Sequence, residues 1–67
     1  MIKAVIIDDE SHARESLKML LQEKFGQVQI CGLAGNCLEG FRIIESQKPD
    51  VVFLDIHMPE MSGLEFL

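Results

Sequence analysis

Three short runs rich in β-branched and other apolar residues divide this chain: Ile2–Ile7, Val28–Ala34 and Val51–Leu54. Between them lie two stretches with helical periodicity. Strands that alternate with helices imply parallel pairing through right-handed crossovers. The first run is apolar apart from Lys3, the pattern of a strand covered on both faces. The expected fold class is therefore α/β, a β-α-β-α-β front half of a doubly wound parallel sheet.

The first helix is expected from about Ser11 to Lys24, with Ala13, Leu17, Leu20 and Leu21 forming its apolar stripe. Ser11 is a candidate cap and Gly26 a candidate stop. The second helix begins at Asn36, with Glu39 three residues on in a capping-box arrangement. Cys37, Phe41 and Ile44 share a face, and Pro49 forbids continuation past Gln47 and Lys48. Ser62-Gly63-Leu64-Glu65 is another capping box, so residues 1–67 read as one partial domain truncated at the start of a third helix.

Composition excludes several functions. Six basic residues are scattered in a chain of net charge −5, so no polyanion surface is expected and no nucleic acid is bound by this segment. The apolar run Ala4–Ile7 is too short for a signal core, and no stretch suits a membrane span. Cys31 and Cys37 fit no metal or CxxC spacing and read as reduced packing residues of a cytoplasmic protein.

The chemistry lies in the acids. Asp8 and Asp9 follow the first strand and Asp55 ends the third. Sites in open parallel sheets form at the carboxyl ends of the strands, where these three converge if strands one and three are neighbours. Two carboxylates ~5 Å apart repel by roughly 3 kcal/mol at an effective dielectric near 20, so the cluster needs a shared proton or a cation. Oxygen ligands in small number suit Mg²⁺, which also binds phosphate oxygens. Met58-Pro59 and Gly63 specify a tight loop beside Asp55. The side chains of His57 and His12 read as surface groups.

"VIIDDE", the helix after it, and "PDVVFLDIHMPEMSGLEFL" together resemble the receiver domain of bacterial two-component response regulators. The wording is most similar to receivers joined to LytTR-type DNA-binding domains. The resemblance covers the whole chain and implies a flavodoxin-like (CheY-like) sheet of order 2-1-3. It implies that Asp55 is the phosphoacceptor, taking a phosphoryl group from a sensor histidine kinase. It implies that Asp9 coordinates Mg²⁺ directly, that Asp8 acts through metal-bound water, and that the His57 backbone carbonyl completes the protein's ligands. Met58, Pro59 and Gly63 match the loop that shapes this edge. Such a domain is regulatory rather than an enzyme, and its output is expected in DNA-binding transcription control by a C-terminal domain.

Two rivals fit worse. A haloacid-dehalogenase-type phosphatase needs an Asp where His57 stands. A flavin-binding flavodoxin needs a Ser/Thr/Gly-rich loop where Asp8-Asp9-Glu10 stand. The family's further functional positions follow strands four and five, which this segment lacks together with helices four and five. The alternative function is thus an inactive fragment that acts only as an interaction module. On this reading the isolated chain self-associates through the strand-three edge, as a two-fold homodimer pairing strand three with strand three or else by aggregation.

Overall fold

A computed structural model describes residues 1–55. The expectations for His57, Met58, Pro59, Gly63 and the last capping box lie outside those residues. Five elements follow in the expected order: β1 (Ile2–Ile7), α1 (Ser11–Lys24), β2 (Val28–Ala34), α2 (Cys37–Gln47) and β3 (Val51–Leu54). The strands form one parallel sheet of order β2-β1-β3, the front half of a doubly wound α/β fold. The β1-to-β2 and β2-to-β3 crossovers run in opposite directions along the sheet, which places α1 and α2 on opposite faces.

The central strand carries the core. Ala4, Val5, Ile6 and Ile7 are all buried. Alternation sends Val5 and Ile7 toward α2, where they meet Ala34 and Cys37. Cys31, Ile43, Ile44 and Leu54 close that cluster. Neither cysteine is in a disulfide. A bulge lets β2 carry one extra residue: Ala4 pairs with Ile30, but Val5 pairs with Gly32, passing over Cys31. The extra residue turns both Cys31 and Gly32 toward α2. A Cβ on Gly32 would collide with Ile43, so the glycine at this position is what lets the helix lie close to the strand.

Three details of α1 depart from the sequence reading. The helix α1 is capped by Glu10, whose Oε1 accepts the His12 N–H at 3.1 Å, and Ser11 is the first helical residue. The chain turns one residue early because Asp8 Oδ1 accepts the Glu10 N–H at 2.9 Å. At the other end Phe25 is the cap, donating to the Leu21 carbonyl, and no glycine among the described residues has positive φ. Gly26 therefore stops nothing by a left-handed turn. The inward face of α1 is Arg14, Leu17, Lys18 and Leu21, at i, i+3, i+4 and i+7. Ala13 is exposed and Leu20 is half exposed. The stripe is rotated because arginine and lysine stems cover apolar surface as an aliphatic residue would.

The start of α2 follows the sequence: Asn36 Oδ1 accepts the Glu39 N–H at 2.8 Å. Its inner face is Cys37, Gly40, Ile43 and Ile44, while Phe41 lies at the margin, 39% exposed and outside the buried cluster. Lys48 closes the helix in the left-handed region, at φ 50°, and donates to the Ile44 carbonyl.

Candidate functional site

Parallel pairing puts the carboxyl ends of β1 and β3 side by side. Ile7 pairs with Leu54, so the next residues, Asp8 and Asp55, are neighbours across the sheet edge. Two ladder bonds hold their backbones. The Asp55 N–H donates to the Ile7 carbonyl at 3.0 Å, and the Asp8 N–H donates to the Ala34 carbonyl at 3.0 Å. The apolar strands are thus rigid mounts, and each delivers an acid at the first position beyond its end.

One carboxylate oxygen from each of Asp8, Asp9 and Asp55 lies within 4.8 Å of the other two. Asp8 and Asp55 are half-buried and Asp9 is exposed. At that separation the Asp8 and Asp55 charges repel by about 3 kcal/mol at an effective dielectric near 20, and solvent screens Asp9 more. The structure therefore brings together the three acids singled out from the sequence. A cleft of about 330 Å³ adjoins them, with Asp8 and Asp55 at its polar end. Ile6, Ile7, Leu17, Phe53 and Leu54 form its apolar remainder.

Asp8 is held by two further bonds. One of its carboxylate oxygens is committed to the Glu10 N–H. Its backbone carbonyl accepts from Arg14 Nη1 at 2.6 Å. Sequence reasoning missed Arg14. Its spacing, three and seven residues before Leu17 and Leu21, fits the stripe that faces the sheet, but its charge hides it from a hydrophobic periodicity. His12 is exposed, as expected. No helix among the described residues is long and apolar enough to cross a membrane.

Comparison with known proteins agrees with this geometry. The profile of the response regulator receiver domain matches residues 4–67. An uncharacterized response regulatory protein of Vibrio cholerae serotype O1 is 54% identical over all 67 residues. The transcriptional regulatory protein BtsR of Escherichia coli K12 is 48% identical over the same residues. The chain spans only 28% of the length of each. Among solved structures, the signal receiver domain of NarL from Mycobacterium tuberculosis superposes with a TM-score of 0.87 at 31% identity, covering 97% of this chain and 52% of that one. The response regulator domain of Thermotoga maritima CheB gives 0.86 at 30%, covering 98% and 48%. The sheet order, the acids at its edge and the profile match lead to one conclusion: the chain belongs to the response regulator receiver domain family.

Proposed function

We propose that residues 1–67 correspond to the N-terminal half of a receiver domain and supply its phosphoacceptor and metal half-site. The observation that carries this reading is the convergence of Asp8, Asp9 and Asp55 on one sheet edge. Asp55 is the acceptor. A carboxylate oxygen of Asp55 attacks the phosphorus of a phosphohistidine on the sensor kinase. The new O–P bond forms as the P–N bond breaks, and its electron pair leaves with the imidazole nitrogen, which takes up a proton. Phosphoryl transfer of this kind depends mainly on positioning and charge neutralisation. The role of the chain is regulatory, and the phosphoryl group is a signal rather than a product.

The donor set fits magnesium. All three side chains offer hard oxygens, and ligands of one octahedral Mg²⁺ stand about 2.9 Å apart when adjacent and about 4.1 Å apart when opposite. Oxygens within 4.8 Å of one another are near that spacing, with water suited to make up the difference. Asp9 and Asp55 would hold the ion directly and Asp8 through water, with the His57 carbonyl as a further ligand. When bound, the ion offsets the negative charge that otherwise opposes attack on a phosphoryl dianion. A whole protein built like BtsR would pass the signal to transcription through a separate DNA-binding output. Its place of action would be the cytoplasm.

The test uses the whole protein with Mg²⁺ and acetyl phosphate as a small phosphodonor. Trapping the acyl phosphate and sequencing the peptides by mass spectrometry should locate the modification on Asp55, and Asp55→Asn should abolish it. Efficient labelling of the Asn variant would sink the assignment. The metal is checked separately. Backbone amide shifts at Asp8, Asp9 and Asp55 should respond to Mg²⁺, and Asp9→Asn should lower the apparent affinity at least about tenfold, since losing a direct ligand costs no less than losing a group that orients one. Unchanged shifts in that variant would show that the ion binds elsewhere.

A further inference from the structure

The Asp8–Asp9 peptide is held from a side that the metal and phosphate chemistry does not use. Arg14 lies on the inward face of α1, and its own N–H donates to the Glu10 carbonyl at 3.0 Å. Its Nη1 donates to the Asp8 carbonyl at 2.6 Å in a partly buried position. The same Nη1 lies against the turn that follows β2, where a Cβ on Gly35 would come within 3.3 Å of it. Gly35 follows Ala34, whose carbonyl accepts the Asp8 N–H. The guanidinium therefore sits at the joint between the turns that follow β1 and β2. With it in place, the N–H, the carbonyl and one carboxylate oxygen of Asp8 all have partners.

The Asp8 carbonyl belongs to the peptide unit that leads into Asp9. Fixing that carbonyl fixes the peptide plane, and the plane sets where the Asp9 side chain departs. Asp9 itself is exposed, so little packing holds it otherwise. We infer that Arg14 is a positioning residue for the site proposed above: it clamps the Asp8–Asp9 peptide so that both acids face Asp55. The inference rests on that reading of the site. Arg14 acts through the backbone and takes no part in the transfer step.

The sign of one measurement separates positioning from simple charge. A guanidinium beside three acids repels a cation, so removing its charge alone should tighten Mg²⁺ binding. Removing a clamp should weaken it. Groups that orient metal ligands typically change metal affinity about 10–100-fold when lost. In the whole protein, Arg14→Met keeps most of the stem and removes the donors and the charge. It is expected to weaken Mg²⁺ binding about tenfold, read by calorimetry or amide shifts at a temperature where circular dichroism shows the variant folded. Arg14→Lys keeps the charge and a donor nitrogen without the planar fork, and should fall between the unmodified protein and Arg14→Met. If the Met variant does not fold, the Lys variant decides, with a loss of about threefold expected. Affinity equal to or tighter than that of the unmodified protein overturns the inference. Asp9→Asn runs alongside. Loss of binding there with no loss in the Arg14 variants defeats only the role of Arg14, whereas intact binding in Asp9→Asn defeats the site and the clamp together.

Discussion

Gly40→Val is expected to destabilise the folded receiver by about 2–4 kcal/mol, a large share of the stability of a small domain. Gly40 is buried on the inner face of α2. A Cβ there would strike Ile7 Cδ1 and lie 2.9 Å from Ile7 Cγ1. Ile7 is fully buried and packed in the cluster with Val5, Ala34 and Cys37, so it has little room to yield. Gly40→Ala brings the same first collision but regains about 1 kcal/mol of helix propensity, so its net cost is smaller. Ile7→Val deletes Cδ1. Alone it should cost about 0.5–1.5 kcal/mol. Combined with Gly40→Ala it should cost less than the sum, with a coupling of about 1 kcal/mol. Urea unfolding of the original protein, Gly40→Val, Gly40→Ala, Ile7→Val and the double variant measures this. Strict additivity, or a valine variant within about 0.5 kcal/mol of the original, would refute the close-packing account.

The same substitution reaches the acids. The Ile7 carbonyl accepts the Asp55 N–H, and Asp8 is its next neighbour in sequence. Displacing Ile7 moves the mount of two carboxylates at once. Magnesium affinity should therefore fall in Gly40→Ala even under conditions where that variant is fully folded.

How far the sequence could be read depends on the kind of information each feature carries. The strands were legible because short β-branched runs with at most one polar residue inside them have few other uses. The cap of α2 was legible because Asn36 and Glu39 stand in a fixed local relation. The rotation of α1 was not, since Arg14 and Lys18 count as polar in any periodicity although their stems are apolar. Nor was the bulge, because Cys31 and Gly32 carry no mark of which one is extra. Whether the cap is Glu10 or Ser11 turns on the Glu10 N–H donating to the Asp8 carboxylate, a local turn that residue types alone do not mark. The acids were visible one by one. Their convergence needs β1 beside β3, and that order came from resemblance to a family rather than from spacing. His57, Met58, Pro59 and Gly63 lie outside the described residues, so their roles rest on the resemblance and are part of the proposal.

The 67-residue chain, studied alone, is expected to self-associate. Among the described residues β3 pairs with β1 only, which leaves its other edge as a row of unpaired backbone groups. That edge is Val51–Leu54, with no charge and no proline, and Val51 and Val52 are 39% and 37% exposed. A flat apolar edge of this kind templates pairing with another chain. Other large apolar side chains are wet as well, including Met19, Leu20, Phe25 and Leu38. Burying such a side chain is worth about 1.5–3 kcal/mol. A chain of this length folds with little stability to spare, so association that covers two or three of them shifts the balance decisively. Across a two-fold axis β3 meets its copy antiparallel, the pairing that a self-complementary interface allows. Light scattering over a dilution series should show a mass that rises with concentration, to a dimer or beyond. Val52→Lys places a charge on the edge and should lower that association while leaving the β1–β3 pairing in place. A cooperatively folded monomer at micromolar concentration, or association indifferent to Val52→Lys, would rule out the β3 edge as the contact.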